Sequence, residues 1–464
     1  MKSEFLFFVK KGELMSTVIS KMQSFYNGFI YPLIIFSAVI IAHTFSIELL
    51  AVIVILASVL PGLIICKDLK FIISPLILFI FAFSEKSVSS GIFFEVPYLI
   101  AIIISAICFS GCLIAHFVIH KKSVNFKAFT TSPLLFGFIF LAISFFFNGI
   151  LNFDGYQYGN IIYATILTLC LVGVFILFSI NLSNDSDLPR YIFYILFLTS
   201  ILLTMQLFLG FINQIQITDG QIVKESVMFG WGMWNNMGGM LAFLLPIHFY
   251  FASTVKKYGF VFYFTGLVSF FAIVLTLSRS SLLVASIIII ISIVASCVVG
   301  INKKTNTIIS VIVALVGIVG VIVLWDKISE ILGDYLARGF DDNGRFEMYG
   351  HGIANYIFNP IFGGGFYSSY VLEHQFISFL PFRYHNTIIQ MMATCGTLGL
   401  IAYSWHRIET IKLVIKKRSV YTFFASLAIV SMLCCSLLDN HFFNLYPTFI
   451  YSIILVSIEK HQNA

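Results

Sequence analysis

Charge is what this chain has least of. Its 464 residues include 27 Lys and Arg and 21 Asp and Glu, only 10% of the whole, beside 59% hydrophobic and 17% aromatic residues. Soluble domains carry about 25% charged residues, so this composition excludes an arrangement of two or three water-soluble domains. Apolar runs of about 20 residues recur from end to end, and mean hydropathy is +0.99, which implies a polytopic α-helical membrane protein. Strict alternation is also missing: runs such as Leu282–Val299 do not alternate, which excludes a transmembrane β-barrel. No signal peptide with a cleavage site is present. The first 24 residues, with Lys2, Lys10, Lys11 and Lys21, read as a cytoplasmic lead-in, and Met15 is an alternative start. The eight cysteines lie in or at the ends of apolar runs and none has zinc-ligand spacing with histidine, so they read as small packing residues. The net charge of +6 implies no nucleic acid, because the basic residues fall in short loops.

Fourteen spans are expected, near 27–46, 47–66, 71–84, 96–120, 129–151, 160–181, 190–212, 234–254, 258–277, 280–301, 307–325, 386–406, 420–438 and 442–458. Threading the chain with its N-terminus inside places 20 of the 27 basic residues in cytoplasmic segments. Both termini are therefore expected in the cytoplasm. Residues 326–385 become one long extracytoplasmic loop between spans 1–11 (residues 1–325) and spans 12–14 (386–464), all within one membrane domain without repeats. Loops of that length are usually functional.

That loop gathers Arg338, Arg345, Arg383, His351, His374 and His385. The same parity puts three polar groups at outer helix starts: Asn235 and Asn236 after Trp234, Arg279 in Ser278–Ser281, and His385 and Asn386 just after Arg383. Helix N-termini offer unpaired N–H groups and partial positive charge, and arginine adds a fork that fits phosphate, so the pattern suits an anion. Plainer alternatives are an N-cap pair for the asparagines, a snorkelling Arg279 and an interfacial His385. Within the loop, Gly344–Phe358 has helical periodicity, with Phe346, Tyr349, Ile353, Tyr356 and Ile357 on one face to pack on the bundle or lie on the membrane surface. Asn359-Pro360 then leads to Gly363-Gly364-Gly365, a flexible stretch whose backbone, at Gly364, can approach a ligand closely. An aromatic-rich segment, Phe366–Phe382, is expected at the membrane interface.

The order of these pieces over about 227–405 resembles the O-antigen ligase and O-antigen polymerase superfamily. The resemblance rests on Trp234-Asn235-Asn236 before a span holding Leu245-Pro246, Leu277-Ser278-Arg279-Ser280 and Gly344-Arg345. It continues through Asn359-Pro360, the triglycine, Tyr384-His385-Asn386 with Gln390, and Gly396–Leu400. It implies an all-α, GT-C-like bundle of about 12–14 spans in the bacterial plasma membrane. The enzyme it implies is an inverting, metal-independent glycosyltransferase without cofactor. Its substrates would be an undecaprenyl-diphosphate-linked oligosaccharide and a glycan acceptor at the lipid surface, with a flippase and a chain-length regulator as protein partners. Carried over by residue, Arg279 and Arg345 would bind the diphosphate leaving group and His385 would act as general base or orient the acceptor. Asn235, Asn236, Arg338, Arg383, Asn386 and Gly364 would complete substrate binding. The loop's seven acidic residues match no usual metal-ligand spacing. They outnumber its four basic ones, which favours a polymerase over a ligase that meets a phosphorylated acceptor. A flippase is the rival class, but carriers usually place charges within their spans, and here the spans hold essentially none beyond their ends.

Overall fold

The structure is a computed structural model that describes residues 16–84, 96–151, 158–218, 221–223, 226–227, 229–323, 325–326, 329, 344–367 and 383–463. It is an all-α polytopic bundle. In hydrocarbon every backbone N–H and C=O needs an internal partner, and an unbroken apolar run meets that need only by coiling into a helix. Each of the fourteen expected runs has a helix beneath it, but their lengths differ from expectation. Among the described residues nine helices are long and apolar enough to cross a membrane, or ten if the pair Ser16–Tyr26 and Ile30–Phe45, bent by 58°, is one span. Leu69–Ala82, Leu135–Phe146 and Gly259–Leu275 are shorter apolar helices. The last helix, Leu445–Asn463, ends in Lys460 and His461. A hairpin of Gln216–Thr218 and Gln221–Val223 is the two-stranded exception to the helical pattern.

The described chain packs as two units. The first takes in described residues of Met1–Ser132, Phe175–Met237 and Val456–Ala464. Lipid is as apolar as leucine, so helices associate through close packing and polar ties rather than through the hydrophobic effect. Gly62 shows the first: a Cβ there would lie 2.5 Å from the Phe71 ring. Asp68 shows the second, accepting from Lys70 N at 2.7 Å and from Ser183 N and Oγ at 2.9 and 2.8 Å.

The second unit takes in described residues of Pro133–Val174 and Gly238–Leu455. The Thr387–Lys416 helix runs through it and is broken at Gly396 (φ 65°, ψ −156°). The triglycine fits against that break. Gly364 and Gly365 donate their N–H groups to Ala393 O (2.8 Å) and Thr394 O (3.1 Å), the free carbonyls of the interrupted helix. Arg407 departs from expectation. It lies inside this helix instead of in a cytoplasmic loop, with its guanidinium 4.5 Å from the Tyr403 ring centroid and 4.6 Å from that of Phe442, and it donates to Tyr451 Oη at 2.8 Å. Glu409, also within the helix, accepts from Gly137 N at 2.8 Å and Trp405 Nε1 at 2.6 Å. Both groups lie just past the expected span 386–406, on the part of the helix that continues beyond it, where aromatic faces and hydrogen bonds hold them.

Candidate functional site

The site is assembled where the Val420–Leu438 helix ends. Its last turn leaves carbonyl oxygens without intrahelical partners, as every helix C-terminus does. Arg345, at the start of the Arg345–Phe358 helix, donates Nη1 to Leu438 O at 2.9 Å, and Asn386 donates Nδ2 to Leu437 O at 2.9 Å. A cation at a helix C-terminus complements the dipole as well. Asn386 also caps its own helix, accepting from Ile388 N (2.9 Å) and Ile389 N (3.1 Å). Tyr384, buried, donates its N–H to Gln390 Oε1 at 2.9 Å.

Between these two anchored neighbours His385 is held at φ +51°, a left-handed conformation that costs a residue with a Cβ about 1–2 kcal/mol. The backbone bend turns the imidazole onto Asp439, with Nδ1 3.0 Å from Oδ1. An ionised carboxylate only accepts, so Nδ1 carries the proton and the Nε2 lone pair of the neutral ring is left for other work. The His385 side chain is 33% exposed whereas that of Asp439 is 8% exposed. Burial by itself would raise the Asp439 pKa. The hydrogen bond from His385, the charges of His441 and His385 and the Asn440 N–H (2.8 Å to the same oxygen) outweigh it and hold the carboxyl well below the usual carboxylate range.

His441, in the turn that follows, is buried, and burial is the main cause of its lowered pKa; Asp439 opposes the shift and Arg383 adds to it. Its seat is made by Gly239, where any Cβ would overlap the imidazole. The residue before, Gly238, is equally close to the Thr276–Ser281 turn: a Cβ there would lie 2.9 Å from Ser281 Oγ and Thr276 Oγ1. Consecutive glycines thus let one helix turn lie against both His441 and the turn that carries Arg279. Arg279 is exposed, at the first position of the Arg279–Val298 helix, after Leu277 at φ +51° and Ser278, whose Oγ reaches Ser281 Oγ at 3.0 Å.

Of the residues expected from the sequence, His385, Asn386 and Arg345 are thus gathered on one helix end, Arg383 acts electrostatically on the same turn, and Arg279 lies on a turn packed against the same pair of glycines. Asn235 and Asn236 are half-buried in the first turn of the Trp234–Thr254 helix, which continues into Gly238 and Gly239. Arg338 and His374 lie outside the described residues. Gly364 is buried, and a Cβ there would overlap the Asn355 side chain, so its backbone approaches the protein closely. The helix expected over Gly344–Phe358 is present as Arg345–Phe358. It turns Gly352 and Asn355 inward, Tyr349 and Tyr356 are half-buried with Tyr356 Oη 2.9 Å from Thr397 Oγ1, and Phe346, Ile353 and Ile357 stay exposed. Most of Phe366–Phe382 lies outside the described residues, but Phe366 and Tyr367 donate their N–H groups to Asn148 Oδ1 (3.1 Å) and Asn160 Oδ1 (2.9 Å). Asp439, Asn440 and His441 escaped the sequence reading. Their signal was there: a polar triplet between two apolar runs, on the face that parity calls external. Among the described residues no three His, Cys, Asp or Glu side chains are placed to hold a metal ion.

A carboxylate-oriented imidazole among arginines, in a polytopic helical membrane protein, is equipped to take a proton from a hydroxyl beside an anion. The family model described as O-Antigen ligase matches residues 264–404. That stretch contains Arg279, Arg345, Arg383, His385 and Asn386, upholds the resemblance to the O-antigen ligase and polymerase superfamily, and supports glycan transfer at a membrane. Comparison with curated proteins finds no match.

Proposed function

We propose that this protein is a surface-polysaccharide polymerase that moves glycan repeat units from an undecaprenyl-diphosphate carrier onto a growing lipid-linked chain at the outer face of the plasma membrane. The observation that carries this reading is the His385–Asp439 pair at 3.0 Å, set beside Arg345 and Arg383. His385 Nε2 takes the proton of the acceptor hydroxyl as its oxygen attacks the anomeric carbon. The bond from that carbon to the diphosphate oxygen breaks on the opposite side, so configuration inverts. Negative charge then grows on the diphosphate, where Arg279, Arg345 and Arg383 stabilise it. Asp439 fixes the tautomer and stabilises the imidazolium.

The test is conversion of purified lipid-linked repeat by the full-length protein with chelator present. A ladder of lengthened lipid-linked chains supports the polymerase. Transfer only to a supplied lipopolysaccharide core means ligase, and no consumption of donor rejects the transferase. The outer placement is tested with Gly350→Cys in a cysteine-free background, since this glycine is exposed with no atom near its Cβ position. Labelling by an impermeant reagent in intact cells is expected, and labelling only after the membrane is breached rejects that topology.

A further inference from the structure

The first unit holds a second polar site. We propose that its cavity of about 190 Å³, lined by His43, Ser46, Ser84, Gln206, Asn213 and Gln214, binds a sugar residue of the glycan.

The chemistry of the lining sets the class of ligand. Among the described residues its polar lining is amide, hydroxyl and imidazole. Amides and hydroxyls supply donors and acceptors side by side, which is what a ring of neutral hydroxyl groups requires. At roughly 10–15 Å³ per water-sized occupant the cavity of about 190 Å³ holds about 13 to 19, room for the heavy atoms of one hexose.

The walls are built and fixed. Gln206, fully buried, donates Nε2 to Phe81 O at 2.6 Å and accepts from Trp231 Nε1 at 3.1 Å. Ser84 donates N and Oγ to the buried Glu48 carboxylate at 3.0 and 2.5 Å, and His43 Nδ1 is 3.3 Å from Phe83 O. Gly230 lets the next wall approach, since a Cβ there would lie 2.5 Å from Ser84 O. Phe229, also in the lining, stacks on Trp231 with centroids 6.0 Å apart and gives the cavity an aromatic side, suited to the C–H face of a sugar. Side chains already held by the protein lose little entropy on binding.

Placement agrees. The cavity lies at the end of Ile30–Phe45, the start of Glu48–Ile65 and the end of Leu188–Gln214. The distribution of lysine and arginine along the sequence leads us to expect all three helix ends at the outer face. The identity of the sugar as part of the transferred glycan rests on the function proposed above; the binding itself does not.

The experiment uses full-length protein in detergent and, as probe, the repeat-unit oligosaccharide released from the producing cell's own surface polysaccharide, without lipid or diphosphate. Binding is read by saturation-transfer NMR and by titration of tryptophan emission. Asn213→Leu and Gln214→Leu, at an exposed helix end where folding is least at risk, should each weaken binding about tenfold or more, and Asn213→Gln should weaken it less. No binding to wild type, or equal affinity in the leucine variants, overturns the proposal. A wild type that binds oligosaccharide at this cavity but never consumes lipid-linked donor upholds the site and rejects the transferase. Unchanged donor KM and oligosaccharide affinity in the leucine variants of an active enzyme reject the site alone.

Discussion

His385 and Asp439 stand 54 residues apart in the chain, yet Nδ1 and Oδ1 meet at 3.0 Å, joining the segment before one long helix to the end of another. In the proposed mechanism the buried carboxylate orients the imidazole, and both residues serve one proton transfer. Asp439→Asn should therefore lower turnover of lipid-linked repeat by about 10²-fold or more, as should His385→Ala, with little further loss in the double variant. Additive losses in the double variant would break the pair into independent roles.

The left-handed backbone of His385 separates catalysis from folding. Glycine adopts φ +51° without strain, so His385→Gly should be more heat-stable than His385→Ala by about 1 kcal/mol, and both should be inactive. Detergent-solubilised thermal unfolding checks it; equal stability of the two variants would show that the strain is absent.

Arg345 has a structural bond as well as a proposed role on the diphosphate. Arg345→Ala loses the bond to Leu438 O and should lose about 1–3 kcal/mol of stability together with activity. Arg345→Lys should recover part of the stability and little turnover, because one ammonium cannot hold the carbonyl and offer a fork to phosphate. Arg279→Ala, exposed at a helix start, should leave abundance normal and abolish polymer; near wild-type polymer would remove Arg279 from the site.

Acid should act on the turn through two groups whose pKa values are depressed in the folded state. The contribution of each is complete above its ordinary value, about 3.9 for a carboxyl and 6.5 for histidine, and is lost as pH falls from there through the folded value. Thermal stability should thus decline as pH drops below about 6.5, His441 being one of several buried histidines that contribute, and again below about 4, from Asp439. His441→Gln should lessen the first decline and leave the second, and an unchanged profile in that variant would exclude a contribution from His441.

Gly239→Ala should force His441 from its seat. Overpacking of this kind costs about 1–3 kcal/mol, and turnover should fall with it. A normal melting temperature with normal turnover would mean that the seat is looser than the geometry requires.

The helices and the candidate arginines and histidine were legible in the chain itself. An apolar run in lipid must coil to pair its own backbone, a local requirement that fourteen runs declare separately. Arg279, Arg345 and His385 stood out because polar residues beside such runs are few. Which groups meet was not local. Asp439 is one carboxylate in a short turn until the Val420–Leu438 helix packs where His385 can reach it. Gly239 is an ordinary helical glycine until His441 fills the space beside it. The triglycine reads in sequence only as backbone free to make a close approach, and the broken Thr387–Lys416 helix, with its carbonyls at Ala393 and Thr394, shows what the N–H groups of Gly364 and Gly365 bind. Hydropathy and charge act residue by residue and so can be read in order along the chain, whereas the partners of a buried polar atom depend on which helix ends come together, and that is decided by packing.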